Sequence, residues 1–337
     1  MSNKLFLSAI LFLGLLVGTV YSQVSLELQV QTLDSYQTKN TYILAAKGVF
    51  GGNQNSDKDS CSESFTIQTN QNQFSQTDMV LPNARRCGDV SNVSLSGYTT
   101  ELGLGGVEIP VYLRYGQGTP IFDFSDSDSN IPNLLYTLNK VKNPVFYFNL
   151  KNNVQLVNGF KPKSFLYIGD SESTTAQQGT EVIVLPKLGN GGWQLPLKNI
   201  NFQGKSYQVS DEQPFLISSY DSIGLGQQGY QEFLKPLVQK KAIIQNKKLG
   251  YVSINKNFLN DLPNITLQVE DINGVLQNLN IPSQNYVLKV NDEYILKVDD
   301  SNQVGYPLYY NYLIGFDRNG KQFLFQQKQD SLNASSF

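Results

Sequence analysis

PFLISSYDSIGLGQQGYQEFLKPLV, Pro214 to Val238, changes its hydrophobic period partway along. Phe215-Leu216-Ile217 is a short apolar run that stops at the small polar residues Ser218 and Ser219. Asp221-Ser222-Ile223-Gly224-Leu225-Gly226 follows, and then Tyr230, Phe233, Leu234 and Leu237 recur at helical spacing. The pattern predicts a strand, a sharp turn, a brief apolar segment and a helix.

Composition narrows the function classes around this stretch. Met1-Ser2-Asn3-Lys4 precedes an apolar run from Leu5 to about Val20, closed by small or polar residues before Gln23. That is the layout of a secretory signal peptide over residues 1–22, with a membrane anchor as the competing reading. With 26 basic and 28 acidic residues there is no basic stripe, and a nucleic-acid partner is not expected. The hydrophobic share of 40%, with 19 Tyr and 19 Phe, is ample for a large core, in two domains or one extended β-rich one. The chain contains 0 His, which excludes Ser-His-Asp and Cys-His nucleophilic sites and imidazole metal sites. The 2 cysteines, Cys61 and Cys87, cannot build a structural zinc site. In an oxidising compartment they pair most simply as one disulfide, the alternative being two free thiols.

Along the chain, Val24–Val30 alternates apolar and polar residues as a half-buried strand, and Thr41–Val49 is a second β-prone run. Asn53–Ser64 reads as a polar loop carrying Cys61. Phe65–Pro82 reads as two strands around a polar centre. Leu134, Leu135, Leu138 and Val141 have helical spacing, and strands are expected at Val145–Leu150 and Ser164–Gly169. Thr174–Gly179 is a polar break that suggests a boundary between lobes at 23–176 and 177–328. Asn273-Gly274 and Asn319-Gly320 mark hairpins. Residues 329–337 read as a disordered tail.

The order of these segments resembles the pepsin-like aspartic proteases. Their second active-site segment runs apolar strand, Asp-Thr-Gly-Thr/Ser-Ser, apolar pair, Gly, helix. Leu216 and Ile217 fall in that strand, Ser222 takes the family's Ser, and Ile223 and Gly226 take the apolar and Gly positions. Ser218, however, stands where the catalytic Asp belongs, and Tyr220 where the motif's Gly belongs. For the first active-site segment, Met79-Val80-Leu81-Pro82 and Cys87 match the second half of the pattern. Counting forward from Phe65 puts Asn70 at the Asp position, and counting back from Pro82 puts Gln73 there. Cys61 precedes this motif, so a Cys61–Cys87 bridge would be non-standard for the family. Val93–Val107, Phe122-Asp123, Ser164–Gly169, Trp193–Gly204, Leu262–Leu267, Ile281–Tyr286 and Phe316-Asp317-Arg318 match further segments in order. No flap hairpin is found before Ser96. The resemblance implies a mostly β, bilobal pepsin-like fold with a central cleft.

It also implies a missing activity. Aspartic proteases need two carboxylates sharing one proton, one acting as base on a water and the other as acid. A Ser hydroxyl or an Asn or Gln amide cannot take that proton, and a Ser218 nucleophile lacks a histidine base. Asp221, three positions on, should point to the other face and reads as a turn or cap residue. Asp78 reads as a solvated loop acid. The acidic run Asp123–Asp128 lacks the glycine turn and closing glutamate of a calcium loop, so no metal or cofactor is expected. Asn92, Asn264 and Asn333 each begin an N-x-Ser/Thr sequon, and Asn264, after Leu262-Pro263, is expected in a strand edge. The leading reading is a secreted or lumenal, monomeric pepsin-fold protein that binds an extended peptide or protein surface, free of the membrane once the signal peptide is removed. An active aspartic endopeptidase and an unrelated secreted β-rich surface protein are the alternatives.

Overall fold

The computed structural model describes residues 23–32, 40–50, 61–70, 78–81, 97–104, 107–115, 121–123, 131–151, 163–169, 181–189, 192–208, 214–218, 221–246, 251–290 and 293–328. The first strands are β1 Gln23–Thr32, β2 Asn40–Phe50, β3 Cys61–Asn70, β4 Asp78–Leu81, β5 Gly97–Leu104, β6 Val107–Tyr115 and β7 Ile121–Asp123. Beyond Leu26 these seven are described by backbone and register. Helix α1, Ile131–Thr137, leads into β8 Val145–Asn149 and β9 Ser164–Gly169. Then come β10 Val182–Pro186, β11 Leu197–Phe202, β12 Lys205–Gln208, β13 Leu216–Ile217, β14 Ile223–Gly224 and helix α2 Gly226–Gln239. The chain closes through β15 Ile243–Asn246, β16 Tyr251–Ile254, β17 Ile265–Glu270, β18 Leu276–Ile281, β19 Val287–Val290 and β20 Glu293–Leu296. Last are β21 Val298–Asp299, β22 Gln303–Val304, helix α3 Tyr306–Tyr309, β23 Tyr312–Asp317 and β24 Gln322–Gln327.

Twelve strands share one sheet whose path runs β10-β24-β23-β8-β9-β1-β2-β5-β6-β4, with β3 and β7 beside it. Its six strands β10-β24-β23-β8-β9-β1 repeat the same order outward from the centre. On each side a helix leads into the inner strand of an antiparallel hairpin (α1 into β8, α3 into β23), and that half's first strand (β1 or β10) pairs with the outer one. The inner strands meet in antiparallel register, Phe146 opposite Phe316 and Tyr147 opposite Gly315. A Cβ at Gly315 would run into the Tyr147 ring, so the close approach of the halves there requires glycine.

The core is assembled on this axis. The Phe146 and Phe316 rings stack at 4.8 Å and 7°. Trp193 meets both edge-on, at 5.7 and 5.0 Å, and is buried. Phe323 packs on Trp193 and Phe316. Such offset and edge-to-face pairs add to the area they bury. Buried Lys328 ties the halves a second time, its Nζ donating to the carbonyls of Leu150 and Tyr309.

Most local expectations hold, and four shift. Cys61 lies in β3, opposite Phe50 in β2, and not in a loop, because backbone pairing recruits the polar residues 61–64 into the strand. Val93–Val107 is divided between β5 and β6, which pair antiparallel from Gly97–Arg114 to Leu104–Val107. The turn at Asn319-Gly320 spans four residues, with the left-handed residue at Lys321 (φ 49°) and the Gly320 amide donating to Asp317 Oδ1 at 2.8 Å. Asn264 lies just before β17 and is exposed, rather than sitting in a strand edge. The signal peptide, the break at 174–179, Cys87 and hence its pairing with Cys61, the tail at 329–337, Gln73, Asn92 and Asn333 lie outside the described residues.

Candidate functional site

The turn at Ser218 is built by strands that come from far along the chain. β13 pairs in parallel with β22, Leu216 opposite Gln303 and Ile217 opposite Val304. β22 also pairs antiparallel with β14, so it threads between the two strands flanking the turn. On its other edge β13 is held by the central core, where the Ile217 amide donates to the Trp193 carbonyl at 2.9 Å. Ser218 is therefore locked in place, with its amide donating to the Val304 carbonyl at 2.9 Å. The residue is fully buried, and its Oγ donates to Gln303 Oε1 at 3.2 Å.

The first half repeats the backbone layout. β3 pairs in parallel with β7, Thr69 opposite Phe122 and Asn70 opposite Asp123. Asn70 thus ends its strand beside β7 as Ser218 follows β13 beside β22. Asp78 opens β4, opposite Tyr112 in β6, so it is a strand residue and not a loop acid.

Acids do lie near the Ser218 turn, and two of them, Asp299 and Asp221, are engaged. Ser222, also buried, donates its Oγ to Asp299 Oδ2 at 2.7 Å, while Asp299 Oδ1 accepts the Ser301 amide at 2.9 Å. Asp221 Oδ2 accepts from Lys297 Nζ at 2.8 Å, and the two side chains are only 12% and 11% exposed. Asp221 is more than a turn residue: it closes a largely buried ion pair between the turn and the strand connection at residue 297. Sequence distance hid that partner, 76 residues away. The turn hands over to α2 through Gly224, whose backbone sits against Ser301 with no room for a Cβ, and Gly226 at φ 65°. On α2, burial and then Asp299 and Asp300 push the Tyr230 phenol up.

A hydroxyl bound to an amide carries no titratable proton near neutral pH. Around the Ser218 turn the described residues supply hydrogen-bonding groups: two serine hydroxyls, the Gln303 amide and the carboxylates of Asp299 and Asp221. Among the described residues no group of His, Cys, Asp and Glu is arranged to hold a metal ion, and no helix is long and apolar enough to cross a membrane.

These elements define a mostly β, pepsin-like fold. The aspartic proteinase from Irpex lacteus matches with a TM-score of 0.65 over 93% of this chain and 100% of that one, at 10% sequence identity. No protein-family model matches the sequence, and no curated protein does. The expected fold class therefore stands, carried by likeness of shape.

Proposed function

We propose that this is a pepsin-fold protein without peptidase activity, which binds an extended peptide or protein surface in the cleft between its halves. The observation that carries the reading is that Ser218, which we align with the aspartate of the second active-site segment, is fully buried and donates its hydroxyl to the Gln303 amide oxygen. The register of β3 with β7 supports Asn70 as the matching neutral position in the first half. A neutral pair leaves nothing to activate a water, whereas edge strands such as β4 and β10 could still pair with an extended chain. The protein acts as a secreted or lumenal monomer without a cofactor.

Purified protein should not cleave denatured substrate protein at any pH from acid to neutral. The same preparation should bind extended peptides, read as a saturable change in anisotropy. Acid-dependent, pepstatin-sensitive cleavage would overturn the reading. Its persistence in Asp78→Ala, Asp123→Ala and Asp221→Ala variants would further place the acids elsewhere, and its loss in one of them whose unfolding midpoint matches the parent's would identify the acid at work.

A further inference from the structure

We infer that Asn264 is an N-linked glycosylation site. The inference rests on the secretory reading of residues 1–22, since the modification needs a lumenal chain. In the reaction, the Asn264 Nδ2 attacks the anomeric carbon of a lipid-linked oligosaccharide diphosphate. A nitrogen–carbon bond forms as the carbon–oxygen bond to the diphosphate breaks, the lipid diphosphate leaves, and one amide proton passes to base.

The sequon is Asn264-Ile265-Thr266. Sequence alone makes the site doubtful, because it adjoins a strand. The geometry removes that doubt in three ways. Asn264 is exposed, flanked by buried Leu262 and Ile265, so its neighbours anchor the corner while its own side chain faces solvent. The anchor is firm, because the hydroxyl of buried Tyr286 donates to the Pro263 carbonyl. Finally, Asn264 Oδ1 accepts the Ser283 amide at 3.3 Å. That bond uses the oxygen, which a glycosylated asparagine keeps, and leaves the nitrogen for the sugar.

Around it the surface suits a glycan. In β17, residues 265, 267 and 269 face the core and Thr266 and Gln268 face out. Thr266 Oγ1 donates to Asn280 Oδ1 at 2.8 Å, and Asn199 Nδ2 to Gln268 Oε1 at 2.8 Å. A sugar rooted at Asn264 would begin at the amide-rich end of this sheet face, at the opposite end of β17 from the Lys198–Glu270 ion pair.

The test is to express the full chain in a eukaryotic host, recover it, and treat it with peptide N-glycosidase in heavy-oxygen water. Mass spectrometry should find labelled aspartate at position 264. Asn264→Gln and Thr266→Val should each remove one glycosidase-sensitive step in gel mobility, and Thr266→Ser, which keeps both the hydroxyl and the sequon, should retain it. An unmodified Asn264 peptide overturns the inference. If that peptide comes from protein in the medium, the secretory reading survives alone; if the protein stays in the cytosol, both fall.

Discussion

Asp221 shows how burial changes the meaning of a single residue. In the sequence it is an acid in a polar turn; in the fold its carboxylate meets Lys297 at 2.8 Å with both groups almost out of water. An exposed ion pair contributes little, but removing one partner from a buried pair strands the other. Asp221→Ala should therefore lower stability by about 2–4 kcal/mol, scaled from the cost of breaking buried pairs, read from the midpoint of urea unfolding. Adding Lys297→Ala should recover part of the loss in a double-mutant cycle. A single-mutant effect below about 0.5 kcal/mol would return Asp221 to the status of a solvated turn acid. Ser222 and Ser218 show the same dependence on distant partners. Their hydroxyls reach Asp299 and Gln303, 77 and 85 residues away, so local sequence could place the serines but could not say what they touch.

At the scale of elements, the hairpin between β17 and β18 has its own switch. Asp271 Oδ1 accepts the amides of Asn273 and Val275, and Oδ2 accepts from the Gln277 side chain. The Gln277 bond first, then the Val275 and Asn273 amides, hold the Asp271 carboxyl below its ordinary 3.8. A depressed carboxyl stabilises the fold fully above its unfolded pKa, and that contribution fades as pH falls through the lower folded value. Unfolding midpoints of the parent chain should therefore drop more steeply below about pH 4 than those of Asp271→Asn, whose amide does not titrate. Parallel curves for the two would remove Asp271 from the acid response. This hairpin was legible beforehand because Asn273-Gly274 lies between runs of alternating residues, and Gly274 indeed takes φ 77°. Helix α2 was equally plain, with Phe233 and Leu237 buried on one face. What local pattern could not reveal was β22. Gln303-Val304 is two residues long in a polar stretch, and it becomes a strand only because β13 and β14 close on either side. Cys61 and its polar neighbours joined β3 for the same reason: a partner strand, not side-chain alternation, made them β.

On the scale of the whole molecule, the two halves share one sheet and one aromatic axis, so they should not unfold separately. Trp193 is the only tryptophan. It is 1% exposed and lies against Phe146 and Phe316 where β8 meets β23. Its fluorescence therefore reports on the junction, whereas far-ultraviolet circular dichroism averages over all strands. Through the Trp193 carbonyl the junction also holds β13, and with it the Ser218 turn. Truncating a fully buried Phe leaves a cavity as well as losing transfer energy, so Phe316→Ala should cost about 3–5 kcal/mol. If the halves form one cooperative unit, the fluorescence and dichroism midpoints should fall together in this variant, as coincident transitions require. A fluorescence transition that moved to lower urea while dichroism stayed in place would mean that the axis opens alone. The shared sheet would then be a contact between two independently stable lobes, and the Ser218 turn would lose its inner support before the rest of the fold gave way.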